Sequence, residues 1–153
     1  MKVYRLSKER YCRDLSGKGA ELAGGRWNSR GTAMVYTSSS RALCMAEVAV
    51  HFPLGITPRN YYLTTIEIGK KAKISVVNPE ELSSDWNTFP HAHFTQEIGD
   101  QFIKDSEFLV LKVPSAVVQG DFNFLINPHH KDTRQIKIIK TEEFSFDKRL
   151  FKL

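Results

Sequence analysis

Cysteine is scarce in this 153-residue chain, with Cys12 and Cys44 the only two. Two thiols cannot build the disulfide framework of a small secreted fold, so a reducing cytoplasm is the expected compartment. No apolar run approaches the roughly 18 residues that a membrane-spanning helix needs. The opening Met1-Lys2-Val3-Tyr4-Arg5 meets charge at once and lacks the apolar stretch of a signal peptide. Internal repeats, low-complexity tracts and linker-like stretches are also missing, which leaves a single domain over 1–153 as the expectation. There is no Gly-x-x-x-x-Gly-Lys-Ser/Thr loop, no Gly-x-Gly-x-x-Gly and no Gly-x-Ser-x-Gly elbow. Those gaps argue against a P-loop, a dinucleotide-binding turn and a nucleophilic serine of the elbow type. His51, His91-Ala92-His93 and His129-His130 follow no His-Glu-x-x-His spacing, and neither cysteine has a Cys-x-x-Cys companion. No metal site is expected from them.

What is present suits a globular protein. Hydrophobic residues make up 41% and charged residues 25%, which excludes disorder. A chain of this length buries roughly 68–70% of its unfolded surface, enough for a core without staples. Lysine and arginine total 22 against 17 aspartate and glutamate, a net charge of +5. The cations are spread out, with local concentrations at Lys70-Lys71-Ala72-Lys73 and Lys148-Arg149. No recognition-helix, zinc-finger or RNA-binding aromatic pattern accompanies them, so a solvated basic surface is expected rather than a direct nucleic-acid contact.

Along the chain, Lys2 to Leu6 reads as a strand, and Ser16 to Ala20 and Gly24 to Gly31 read as glycine-punctuated loop. Met34 to Thr37 is a short strand. Ser39 or Ser40 offers an N-cap for a helix over Arg41 to His51, with Leu43, Ala46, Ala49 and Val50 at helical spacing. Tyr61 to Ile68 and Lys73 to Val77 read as strands, and Asn78 to Leu82 as a turn into a short helix. Thr95 is the expected cap of a helix bearing Ile98, Phe102 and Ile103. Phe108 to Val113 is a buried strand stopped by Pro114. Phe122 to Ile126 is a short apolar segment ended by Asn127-Pro128, Gln135 to Lys140 alternates, and Glu142 to Phe146 gives a final strand. The pattern predicts an α+β domain with more strand than helix.

Three places could carry chemistry. In Gly24-Gly25-Arg26-Trp27-Asn28, paired glycines admit close backbone approach, and the arginine can offer its fork to a phosphate or carboxylate. The alternative is a hairpin with a surface arginine. Glu47 stands among Ala46, Val48, Ala49 and Val50, where a carboxylate is either at the rim of a pocket or on the solvent face. Ser115, after Pro114, either points into a cleft or bonds its own backbone.

These fragments together resemble the RES-domain family. The resemblance rests on Gly24-Gly25-Arg26-Trp27-Asn28-x-x-Gly31, Val35-Tyr36, Ala46-Glu47-Val48, Val113-Pro114-Ser115-Ala116-Val117 and Asn123-x-Leu125-Ile126-Asn127-Pro128-x-His130. They run in the family's order from near the N-terminus to the final Phe146-Asp147-x-Arg149-Leu150, over nearly the whole chain. The resemblance implies two small β-sheets around a cleft with flanking helices, as in ADP-ribosyltransferase toxins. It implies the toxin of a toxin–antitoxin pair whose partner is an Xre-like antitoxin protein. The implied activity is loss of nicotinamide from NAD⁺, with phosphate as co-substrate or water as acceptor, and with no cofactor. Transfer of ADP-ribose to a macromolecule and binding without turnover are the alternatives. Arg26, Glu47 and Ser115 take the implied catalytic positions, and Arg26, Tyr36, Ser115 and Asn123 the implied substrate contacts. The chain is on the short side for the family, which bears on lid elements and on a possible homodimer.

Overall fold

The computed structural model describes residues 1–153. In chain order it forms β1 (Lys2–Lys8), α1 (Lys18–Ala23), β2 (Val35–Ser38), α2 (Arg41–Ala49), β3 (Tyr61–Ile68), β4 (Ile74–Val76), α3 (His93–Asp105), β5 (Val110–Pro114), β6 (Phe122–Ile126) and β7 (Ile136–Phe144). Short 3₁₀ turns connect several of these. The α+β class is the one the sequence predicts.

The strands lie in the order β4-β5-β6-β2-β1-β3-β7. Only β4 and β5 run parallel, and the other neighbours are antiparallel. The two expected small sheets are the two halves of this one. β1 and β3 share seven register pairs and β2 and β6 share four, but β1 meets β2 through one pair, Tyr4 with Ser38. The sheet is therefore continuous but splayed at its centre.

Alternation along the strands puts Val3, Val35, Ile66, Ile68, Val110, Phe124 and Ile126 on one face, where they form an apolar cluster. The opposite face is covered in two separate places. Trp27, Met34 and Phe102 of α3 pack on Leu111, Val113 and Leu125. Cys44 of α2, with Phe146 and Phe151 of the C-terminal segment, packs on Leu6 and Leu63. Between these clusters the same face presents Tyr36, Ser38 and Asn123, and the chain leaves a cleft there.

Several elements depart from the sequence reading for local reasons. The segment read as loop before Gly24 contains the one-and-a-half-turn α1, bracketed by Gly17 and Gly24, both at φ 72°. Thr95 does not cap α3, which starts at His93 behind Ala92; its hydroxyl donates instead to the carbonyls of Arg26 and Ala92. Pro114 ends β5 from within, paired with Phe122. The two final strands are one, β7. Thr65 pairs with Lys140 but Ile66 with Ile138, leaving Ile139 as a bulge that puts the alternation out of phase.

Helix α3 is seated directly on the arginine-bearing loop. A Cβ on Gly99 would overlap the carbonyl oxygen of Trp27. Backbone cannot yield as a flexible side chain can, so Gly99→Ala is expected to cost about 3 kcal/mol. Urea denaturation checks this. An unchanged midpoint would mean that α3 does not rest on that loop.

Candidate active site

The cleft encloses a cavity of about 710 Å³ whose lining includes Gly25, Arg26, Tyr36, Glu47 and Asn123. It draws on the loop after α1, on α2, on β2 and β6, and on the segment before α3. A second hollow of about 260 Å³ adjoins it and shares Tyr36, Glu47, His51 and Asn123. A larger, more open groove of about 870 Å³ runs along α3 beside Glu97 and Asp105, but none of the sequence-derived site residues lines it.

Glu47 is half-buried in the last turn of α2. Ser40 caps that helix by accepting from the Leu43 N–H at 3.0 Å, as the sequence suggests. One carboxylate oxygen of Glu47, Oε1, accepts from the Ser115 hydroxyl and from the Asn123 side-chain amide, both at 2.6 Å. The other, Oε2, has no protein hydrogen-bond partner, and it is not among the buried unpartnered atoms. It is open to the cavity. Carboxylates are disfavoured near the negative end of a helix, so the two charge-assisted contacts are what hold this one in place. Ser115 is itself buried and fixed: its Oγ accepts from the N–H groups of Val117 and Val118, each at 3.0 Å. Asn123 is fixed from behind, accepting from the Ser38 hydroxyl at 2.8 Å. One turn before Glu47, burial pushes the Cys44 thiol up to about 12, so it is no nucleophile at neutral pH.

The Gly24–Asn28 loop is organised by Asn28, which is fully buried. Its side-chain N–H₂ reaches the carbonyls of Ala20, Ser29 and Thr32, and its Oδ1 accepts from the Tyr36 hydroxyl at 2.7 Å. The Tyr36 oxygen accepts in turn from the Trp27 N–H at 3.0 Å. A Cβ on Gly25 would stand 2.8 Å from that hydroxyl and 3.0 Å from Asn28 Oδ1, so the glycine is needed for close approach. Tyr36, expected as a substrate contact, thus has its hydroxyl engaged within the protein and offers its ring to the cavity. Burial raises its pKa well above the ordinary phenol value.

Arg26 points into the cavity from this loop. Its Nη1 donates to the carbonyls of Trp86 and Thr88, both at 2.9 Å. A guanidinium carries five N–H donors, so the Nε and Nη2 edge stays free for a bidentate contact. Burial pulls its pKa below the ordinary value, and the Glu47 carboxylate opposes that pull. The structure therefore brings Arg26, Tyr36, Glu47 and Asn123 to one cleft, while Ser115, expected as a substrate contact, is buried behind Glu47 and is not on the cavity wall. Sequence reasoning did not single out Asn28 as a structural centre, nor the 83–91 segment whose Asn87, Phe89 and His91 complete the cavity wall. The clasp by Arg26 joins residues 60 or more apart, which no local pattern reveals. No three His, Cys, Asp or Glu side chains gather in a metal-binding group, and no helix is long and apolar enough to cross a membrane.

The model of the RES domain matches residues 2–147. A Prs ADP-ribosylating toxin of Sphingobium is 39% identical over 141 residues, covering 91% of this chain and 88% of the relative. A Toxin Res of Yersinia enterocolitica is 35% identical over 152 residues, covering 98% and 99%. The toxin–antitoxin complex MbcT–MbcA of M. tuberculosis contains a chain with the same fold, at a TM-score of 0.73 and 20% identity. The match covers 98% of this chain and 86% of that one.

Tyr36→Phe removes a hydroxyl that joins Asn28 to the Trp27 N–H and leaves both without that partner. A loss of about 1–3 kcal/mol is expected, read as a lower thermal midpoint. A variant as stable as the parent would show that the loop does not depend on this bridge.

Proposed function

Because this chain belongs to the RES-domain family, we propose that it is the toxin of a toxin–antitoxin pair and depletes NAD⁺. The proposed reaction breaks the bond between nicotinamide and ribose, with phosphate or water as acceptor. The observation that carries this reading is the Glu47 carboxylate, with one oxygen fixed by Ser115 and Asn123 and the other open to the cavity.

Ordinary glycoside hydrolysis needs two carboxylic groups, because an alkoxide leaving group must be protonated. The pyridinium of NAD⁺ is already cationic. When its C–N bond breaks, the electron pair stays on nitrogen and neutral nicotinamide departs without a general acid. One carboxylate then suffices to stabilise the oxocarbenium-like ribose and orient its hydroxyls. An oxygen of phosphate or water attacks the ribose carbon from which nicotinamide left. Ser115 and Asn123 act by positioning Glu47, and the free edge of Arg26 holds the pyrophosphate or the phosphate acceptor. The partner in this reading is an Xre-like antitoxin, and the net charge of +5 favours an acidic segment from it over the cleft.

A second reading uses the same site to transfer ADP-ribose to a macromolecule, and the name of the Sphingobium relative favours it. Incubation with labelled NAD⁺, with and without phosphate, separates the two. Free nicotinamide with phosphorylated ADP-ribose supports phosphorolysis, and label retained on a macromolecule supports transfer. Intact NAD⁺ in every condition overturns both.

Glu47→Gln keeps an acceptor for Ser115 and Asn123 but removes the negative charge. Its kcat for NAD⁺ cleavage is expected to fall by about 100- to 1000-fold, with the thermal midpoint little changed. A folded variant with unimpaired turnover would remove the central residue. Arg26→Lys keeps the charge but loses the fork, so kcat/KM is expected to fall about 10- to 100-fold, chiefly through KM. Parental kinetics would reduce Arg26 to a loop residue.

A further inference from the structure

One side of the cavity mouth carries an aromatic ring that the packing of the fold does not account for. Phe89 is 79% exposed, yet it lines the cavity next to Asn87 and His91. Its neighbours hold the segment that bears it. Arg26 Nη1 clasps the carbonyls of Trp86 and Thr88, and Trp86 packs on Trp27 with ring centroids 6.2 Å apart. The Thr88 hydroxyl donates to the Asp85 carbonyl at 2.9 Å. His91 meets the Phe89 ring edge to face, at 5.5 Å and 86°, which braces the ring and leaves a face of it uncovered. His91 Nδ1 is buried without a protein partner, and buried polar atoms call for one. Burial, with the Arg26 and His51 charges, also keeps the His91 pKa below the ordinary value, which favours a neutral imidazole beside the arginine.

An uncovered aromatic face on the wall of a cavity that also holds Arg26 and Asn87 suits a planar heterocycle. We propose that Phe89, braced by His91, is the stacking platform on which the cavity recognises an aromatic nitrogen heterocycle of its substrate. This rests on the NAD⁺ reading, which supplies two such rings, the nicotinamide and the adenine. Phe89 is thus a specificity-determining residue, and Arg26 serves it indirectly by fixing the segment that carries it.

Equilibrium binding of nicotinamide and of AMP, each to the parent, Phe89→Ala and Phe89→Trp, tests this. Phe89→Ala is expected to weaken one of the two by about tenfold or more and to spare the other, while Phe89→Trp retains it. The ligand affected identifies the ring. Because the side chain is exposed, the thermal midpoints should match the parent's. If the parent binds its ligands and Phe89→Ala changes neither, or weakens both equally, the platform is overturned and the NAD⁺ reading stands. If the parent binds neither ligand and leaves NAD⁺ intact, both fall together.

Discussion

Two short hydrogen bonds onto one oxygen of Glu47 tie together parts of the chain that are otherwise distant. Glu47 belongs to α2, Asn123 to β6 and Ser115 to the turn after β5. The line of donors continues backwards, Ser38 to Asn123 to Glu47, and the serine on the other side is held by two backbone N–H groups. Hydrogen bonds in such a chain polarise one another, so the set is stiffer than its members taken singly. Its strand members lie on β2 and β6, beside the seam where β1 and β2 share one register pair. Helix α2 packs on Leu6 and Leu63 beyond that seam, so Glu47 ties the helix on one half of the sheet to strands of the other.

The cleft exists because the inner face of the sheet changes character over that seam. On either side, α3 and α2 bring Phe102 and Cys44 down onto apolar strand positions. Between them the strands present Tyr36, Ser38 and Asn123, whose polar groups bond to Asn28, to one another and to Glu47 where an apolar layer lies on either side. Asn28 performs the corresponding task at the edge of the cleft. It is buried, it bonds three carbonyls and a phenol, and it fixes the direction in which Arg26 emerges.

Much of this was legible in the sequence where the signal is local. The apolar spacing of Leu43 and Ala46 marks α2, the β-branched run from Tyr61 marks β3, and the family motifs single out Arg26, Glu47 and Ser115. Other features were not legible because their cause is remote or phase-breaking. The bulge at Ile139 interrupts the period that would have joined β7 into one strand. Thr95 has the composition of a cap, yet the Arg26 carbonyl, 69 residues away, is what its hydroxyl serves. The segment around Phe89 has neither helical nor strand period, so its place is given by remote contacts, the clasp by Arg26 and the packing of Trp86 on Trp27.

The means by which Glu47 is fixed bears on what it can do. Four lysine or arginine side chains pair with carboxylates in the molecule, and neither Glu47 nor Arg26 belongs to any of these pairs. Glu47 is held by a neutral hydroxyl and a neutral amide, and Arg26 by two neutral carbonyls. Each charge is oriented without being cancelled. Had the two formed a direct salt bridge, a substrate would first have to break it, and the partly buried pair would resist. Held separately, the carboxylate keeps its full charge for a developing cation, and the guanidinium keeps an open edge for an anion. A dinucleotide that carries a pyridinium at one end of a pyrophosphate presents both charges in one molecule. In the proposed reaction, the distance kept between Glu47 and Arg26 is what lets a single carboxylate do the chemistry while the arginine holds the ligand.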